Sequence, residues 1–581
     1  MSRGAPRKSA DPVPAAKLLP AAVKAADQQA VKAANQQAVQ AGQQLVPAAG
    51  PPAAPDLATF NEELYLRLNP DVLMAVAAGT FRSGREHYEH FGRAEGRPTM
   101  LPTGNVRDRV IIIADPDKVA EKPRAPSGNI DHIKISPAGG IYVIGWVNDS
   151  QDRLDSVDLY FSAWSISFSA AKLARVRRPD AESSIGLLTP HSCGFWGFFY
   201  AARRLPANIC SAVVKLKSGA ELHAMVNVDT VEDDELRTIA LSGLALAKYV
   251  GNPYFAAVQS IGAVIGTQLV DFNQMLTRRA VNAPYIERFG RTEARYKGSI
   301  IVCLYGRPEY MYVQQAIFAR QPGIADYEFI YVCNSPEMAE PLLREARLCS
   351  LIYELDVTII LLSANAGFAA ANNLAARHAR SARLLFANPD VFPRDADWAT
   401  RHSAIVDQLP AARTALFGAP LYYDDGSLMH GGMYFERDTM PSFSHGKRQD
   451  TAILRVEHYG KGAPPDTLEF LRARPVPAVT GAFISAARDW FERLDGFSED
   501  YIFGHYEDAD LCLKSLEAGR PAWLHDAKLW HLEGKGSDRQ PQHEGGAVVN
   551  RWLFTKSWQD LLQDGLMGPT PHHAALGTGM K

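Results

Sequence analysis

From residue 298 onward, short apolar runs alternate with helical stretches, and no other feature constrains the fold as much. Apolar runs occupy 299–304, 328–332, 357–362 and 383–387; helical patterns fill the gaps near 309–320, 336–350 and 368–380. This alternation predicts a mostly parallel sheet covered by helices. In such sheets ligands bind beyond the carboxyl ends of the strands, so residues just after each run are the first candidates for chemistry.

The rest of the chain divides by composition. Residues 1–55 are rich in Ala, Gln, Pro and Lys and contain an eight-residue repeat, Ala22 to Gln29 and again Ala30 to Gln37. Too little apolar surface is present to offset ordering entropy, and a disordered tail is expected. Residues 56–100 place Phe60, Leu64, Leu68, Val72 and Val76 at helical spacing and read as a small helical module. Pro, Lys and Asp mark 101–128 as a linker. Between 129 and 232, short strands with turn signals predict a β-sandwich. Its Trp146, Trp164 and Trp196 read as core residues or as a sugar-facing surface. A helical connector is expected over 233–297, a catalytic-type α/β domain over 298–560 and a flexible tail over 561–581.

A net charge of −3 argues against a nucleic-acid partner. The six cysteines lack zinc spacing and fit free thiols in a reducing compartment. No uninterrupted run of ~18 apolar residues occurs, so a cytoplasmic protein is expected, at most peripherally associated with the inner face of a membrane.

Three constellations carry the chemistry. The run 383–387 ends in Asn388-Pro389-Asp390. The proline stops the ladder and presents Asp390 beyond the strand, where a hard carboxylate can share Mg2+ or Mn2+ with a diphosphate. In isolation the tripeptide is equally a turn. Next, Glu507, Asp508 and Asp510 fall in the first turn of a helix that stops at Gly519. Acids there complement the helix dipole, and adjacent acids also raise each other's pKa, as a general base requires. Finally, His531 follows an apolar run beside Trp530.

Asn365-Ala366-Gly367-Phe368 with Asn372-Asn373, followed by Asn388-Pro389-Asp390-Val391, resembles family-2 glycosyltransferases of the rhamnosyltransferase-like group. Thr480-Gly481-Ala482-Phe483, Gly496-Phe497 and Glu507-Asp508 continue the resemblance, which covers about 298–560. It implies a GT-A fold and an inverting, metal-dependent transfer from a UDP-, dTDP- or GDP-sugar to a glycan or lipid-linked glycan, in bacterial surface polysaccharide synthesis. Residue by residue it implies Asp508 as base with Glu507 in support, and Asp390 and His531 as Mn2+ or Mg2+ ligands. Tyr305, Arg307, Asn334, Asn365, Gly367, Asn373 and Asn388 fall on the nucleotide-sugar side. Gly481, Asp425 and His430 fall on the acceptor side.

Two departures matter. Cys333-Asn334-Ser335 stands where the family has Val-Asp-Asn-x-Ser, so the acid that contacts base or ribose is absent. Leu304-Tyr305-Gly306-Arg307 replaces Thr-Tyr-Asn. A non-catalytic glycan-binding or scaffolding protein with a decayed transferase domain is the rival reading. No P-loop, strand-linked Gly-x-Gly-x-x-Gly or His-Glu-x-x-His motif is present, which excludes those classes.

Overall fold

The computed structural model describes parts of 60–93, then 127–185, 192–205, 209–249, 254–291, 295–409, 416–444, 447–535, 540–562 and 567–568. The 1–55 tail, nearly all of the 101–128 linker and most of the 561–581 tail lie outside the described residues. The chain divides into two units, 1–115 and 116–581.

In the first unit the aromatics pack on one another. Tyr65 and Tyr88 are buried, and their rings meet edge-on at 5.2 Å. The Tyr65 hydroxyl lies 3.0 Å from His87 Nδ1, and Asn69 Nδ2 donates to the Tyr65 carbonyl. Ser83 caps the short helix Gly84–His87 by accepting from the Glu86 N–H.

The second unit begins with β1 (Gly128–Ile135), β2 (Gly140–Val147), β3 (Leu154–Tyr160), β4 (Ser165–Ser169), β5 (Ala174–Val176), β6 (Gly194–Tyr200), β7 (Ile209–Leu216) and β8 (Glu221–Thr230). They run in the order β4-β3-β7-β8-β1-β2-β6-β5. Strand β8 joins the halves: 221–227 pair antiparallel with β7, and 228–230 pair parallel with β1. Residues from both halves, including Ile133, Val143, Val157, Phe195 and Val214, close one apolar core. Trp196 is 2% exposed and packs with Tyr142, Phe198 and Phe272 beneath the helices Asp233–Tyr249 and Tyr254–Val281. Trp164 stacks on Phe161 at 3.7 Å. Trp196 is therefore an interior residue, because helices cover that face of β2 and β6.

Next come β9 (Tyr285–Phe289), β10 (Gly298–Leu304), β11 (Tyr327–Cys333), β12 (Asp356–Leu361), β13 (Arg383–Ala387) and β14 (Val391–Pro393). They are followed by β15 (Leu416–Gly418), β16 (Leu421–Tyr422), β17 (Leu428–His430), β18 (Met433–Ser444), β19 (Lys447–His458), β20 (Arg474–Val476), β21 (Phe483–Ala487), β22 (Ala522–Leu524) and β23 (Leu529–His531). A nine-stranded sheet has the order β20-β22-β15-β21-β13-β10-β11-β12-β9. Its centre explains the continuous apolar runs. In β11, Ile330 and Val332 enter one core while Phe329, Tyr331 and Cys333 enter the other. A strand covered on both faces is apolar along most of its length, and the one charge in β11, Glu328, is buried against Arg380.

The sheet is mixed rather than mostly parallel. β13, β10, β11 and β12 are parallel neighbours, but β9 and β21 flank them antiparallel. Strand β9 lies in the stretch read as wholly helical. It is a half-exposed edge strand with no apolar run to announce it. Strand direction at the flanks depends on connections that local periodicity does not encode.

Among the described residues, no helix is long and apolar enough to cross a membrane.

Candidate functional site

Beyond the carboxyl ends of β10, β11 and β13 lies a cavity of about 610 Å3. Tyr305, Asn334, Asn365 and Asn388 line one part of it. Asp390 and His531 line a second, and Gly481, Glu507 and Asp508 a third. Residues more than a hundred positions apart thus share one space.

Asp390 and His531 meet because β14 pairs antiparallel with β23, setting Val391 opposite His531. Asp390 is 2% exposed and His531 5%. Asp390 Oδ1 lies 3.4 Å from His531 Nε2, and Asn388 Nδ2 lies 3.5 Å from the same nitrogen. Pro389 ends the strand, and the Asn388 carbonyl accepts from Gln314 Nε2 at 3.0 Å, which fixes the turn. Two ligands on adjacent positions of a divalent ion, each ~2.1 Å from it, stand roughly 3 Å apart, so the pair fits one ion. One carboxylate with one imidazole suits Mn2+ or Mg2+ whose other positions take phosphate oxygens and water. Among the described residues no cluster of three or more His, Cys, Asp or Glu forms a complete cage. His531 Nδ1 is buried without a hydrogen-bond partner, so contacts at Nε2 alone select the tautomer.

The acid pair opens the helix Glu507–Glu517. This helix is buried almost all round, at Ala509, Leu511, Cys512, Leu513 and Ser515. It ends at Gly519, whose φ is +81°, with the Arg520 N–H donating to the Ser515 carbonyl. Asp508 Oδ2 accepts the Gly481 N–H at 2.7 Å, and Oδ1 accepts the Ala509 N–H at 2.8 Å. A Cβ on residue 481 would sit 3.2 Å from the Asp508 Cβ, so glycine there permits this close approach. Burial raises the Asp508 pKa, and the two amides partly oppose the rise. Glu507 is 5% exposed, and Oε2 has no hydrogen-bond partner. Burial, then the neighbouring Asp508 charge, push its pKa up to about 8. At neutral pH Glu507 is therefore largely protonated.

The other sequence candidates separate into cavity residues and framework. Asn334 Oδ1 accepts the Ala366 N–H, and its Nδ2 donates to the Gly367 carbonyl. Asn334 thus ties the end of β11 to the loop before the helix Gly367–His378. Asn365 Oδ1 accepts the Gly367 N–H at 2.9 Å. Gly367 has φ +80° and lies against the Phe503 backbone.

Gly367 and four further candidates are absent from the cavity lining. Asn373 is buried: Nδ2 donates to the Phe497 carbonyl and to Glu499, and Oδ1 accepts the Phe497 N–H. It clamps the Gly496-Phe497 turn, outside the cavity lining. Arg307 points into solvent, 3.5 Å from Glu309. Asp425 is fully exposed, accepting from Ser427 in a turn. His430 is fully buried, 3.0 Å from His458, and burial holds its pKa well below the usual imidazole range. His458, not His430, reaches the cavity.

The Asn373 clamp makes a test of the turn. Gly496 has φ +64°, and a Cβ there would lie 2.6 Å from Asn373 Oδ1. Gly496→Ala is expected to destabilise by about 2–4 kcal/mol in urea unfolding, from backbone strain plus the lost clamp.

Several cavity residues carried no sequence signal. Phe503, His505 and Tyr506 lie in the loop before the acid pair, and Gln540 and His543 at the start of the helix Pro541–Trp558. The Gln540 N–H donates to His543 Nδ1, a reciprocal cap that Gln540-Pro541-Gln542-His543 hints at only in retrospect.

No protein-family model matches the chain. A curated relative, the uncharacterized protein y4gI of Sinorhizobium fredii, is 28% identical over 188 residues, 32% of this chain. The match spans only 19% of that protein's length. Among solved structures, a mannosyltransferase from Pyrobaculum calidifontis in complex with GDP-Man and Mn2+ is similar at TM-score 0.32 and 16% identity, over 58% of this chain and 79% of that one. GalNAc-T7 with UDP, GalNAc and Mn2+ is similar at TM-score 0.30 and 14% identity, over 45% of this chain and 48% of that one. Staphylococcus aureus TarS, residues 1–349, is similar at TM-score 0.29 and 14% identity, over 45% and 73%. These neighbours are glycosyltransferases, and likenesses this distant leave the chemistry of the present cavity to its own residues.

Proposed function

We propose that this chain is an inverting glycosyltransferase that moves a sugar from a nucleotide-sugar to a glycan or lipid-linked glycan hydroxyl, in the synthesis of a surface polysaccharide. The observation that carries the reading is the convergence of two unlike acid sites on one cavity. One pairs a carboxylate with an imidazole, and the other pairs Glu507, whose pKa burial pushes up to about 8, with Asp508, which accepts the Gly481 and Ala509 amides. The first suits a diphosphate and its counter-ion, and the second suits proton removal.

In the proposed reaction Asp508 takes the proton of the acceptor hydroxyl as its oxygen bonds to the anomeric carbon. The bond from that carbon to the diphosphate oxygen breaks on the opposite face, and the nucleoside diphosphate leaves with the electron pair. Asp390 and His531 would hold Mn2+ or Mg2+, which when bound offsets charge on the leaving group. Glu507, being largely protonated at neutral pH, puts no second negative charge beside Asp508.

Diphosphate release from UDP-, GDP- and dTDP-sugars, with and without Mn2+, tests the proposal. Turnover that requires the ion is expected, with kcat/KM about 10²-fold lower in Asp390→Ala. Ion-independent turnover unaffected by that substitution would remove Asp390 from the role.

One observation favours the rival binding reading. Cys333 is fully buried with Sγ donating to the Ser335 carbonyl, and the Asn334 amide is committed to residues 366–367. Strand β11 therefore presents no acid to a ribose. Calorimetry with UDP and Mn2+ decides: a chain that binds oligosaccharide through 129–232 but no nucleotide is a binding protein.

A further inference from the structure

The segment 503–506, immediately before the acid pair, is the most strained stretch of described backbone. Phe503, His505 and Tyr506 have φ of +62°, +82° and +77°, a region that residues with a Cβ rarely adopt. Three such residues in four positions persist only where surrounding groups hold them. The Asn550 side chain supplies that hold. It is fully buried in the helix Pro541–Trp558. Its Oδ1 accepts the Ile502 N–H at 2.8 Å; its Nδ2 faces the carbonyls of Ile502 (3.0 Å), Gly504 (2.7 Å) and His505 (3.3 Å).

The loop is braced from two other directions. The Phe368 N–H donates to the Phe503 carbonyl at 2.6 Å, and the Arg237 guanidinium lies 4.6 Å above the Phe503 ring. The helix carrying Asn550 is itself seated closely. A Cβ on its Gly545 would fall 1.8 Å from the Leu241 carbonyl oxygen, so the two helices touch backbone to backbone.

We propose that Asn550 is a positioning residue for the transfer: it holds the left-handed 503–506 loop and thereby sets where Glu507 and Asp508 begin their helix. Asn550 touches neither acid in any hydrogen bond described above and is absent from the cavity lining. It acts through the loop backbone. The inference rests on the proposed base role of Asp508. It adds that the connecting helices behind the cavity, not only the sheet, fix that base.

The test compares the full chain with Asn550→Ala. The expected result is a fall in kcat of about 10- to 100-fold, with the Kd for UDP in the presence of Mn2+ changed less than threefold. Amide exchange at 503–508 rises while exchange in β10–β13 does not. An unchanged kcat, or unchanged exchange at 503–508, overturns the proposal. So does a loss of nucleotide binding in step with kcat, which marks a purely structural role.

A second pair of variants reads the backbone should Asn550→Ala fold poorly. His505→Ala removes the side chain and keeps the strain, whereas His505→Gly also relieves it. Lower kcat in His505→Gly than in His505→Ala, at equal or higher Tm, supports a held loop. Equal kcat in the two overturns it. A wild-type chain that turns over no donor defeats the transferase reading. The exchange comparison still decides whether Asn550 holds the loop.

Discussion

Asp508→Asn is expected to lower kcat by about 10²- to 10⁴-fold, the range a positioned general base contributes. The amide keeps the size of the side chain and one oxygen to accept the Gly481 N–H, now at 2.7 Å. The packing of Ala509, Leu511 and Leu513 is untouched. Donor affinity should therefore change less than threefold. Steady-state turnover and UDP calorimetry on one preparation separate these effects. Turnover within tenfold of wild type would assign the proton to another group.

Glu507→Gln should act in the opposite sense and make the protein more stable. The Glu507 pKa is raised from 4.5 to about 8, so the folded state keeps a proton that the unfolded chain releases. Folding stability associated with this group is complete below about pH 4.5 and is lost as pH rises toward 8. At pH 7 the loss is on the order of 3 kcal/mol, at ~1.4 kcal/mol per unit. Glutamine mimics the protonated acid and avoids that cost. Urea unfolding should show the variant about 3 kcal/mol more stable at pH 7 and nearly equal to wild type at pH 4.5. Because Glu507 is neutral at pH 7, kcat there should stay within about tenfold of wild type. A destabilised variant at pH 7 would mean that Glu507 is ionised in the folded protein.

The two variants together separate the acids. A base at 508 and a neutral, structurally costly neighbour at 507 give different signatures: the first variant loses turnover, whereas the second keeps it and gains stability at pH 7. Two acids acting interchangeably would not. The cost at Glu507 is of the kind proteins retain where function needs a buried ionisable group.

Much of the central architecture was legible from residue order. The runs that became β10 to β13 are apolar along most of their length, since both faces are covered, with polar residues such as Ser299, Glu328 and Arg383 near their starts, and the helices between them have the expected period. Asn388-Pro389-Asp390 was legible as a strand end, and Glu507-Asp508 as a helix start. The flanking strands were not legible. β9 is short and half-exposed, and Glu287 and Arg288 break any apolar run in it.

Individual roles were less legible than the motifs that contain them. Asn365 and Asn373 belong to one motif, yet Asn365 lines the cavity while Asn373 is consumed by the 496–499 turn. His430 and His458 are 28 positions apart and in contact, but only His458 reaches the cavity. Along a strand or helix, a one-residue difference decides whether a side chain faces ligand or core.

Residue order alone carries the local features: apolar period, strand ends, helix starts, and which acids lie near them. Those are set by sterics and solvation of neighbouring residues. Which of these features meet depends on how the chain packs over long range. That packing brought β23 beside β14 so that His531 reaches Asp390, and it seated a distant helix so that Asn550 holds the loop before Asp508. Burial did the rest: it raised the pKa of both adjacent carboxyls, that of Glu507 to about 8, because a charge buried beside another charge is costly in proportion to how little water remains around it.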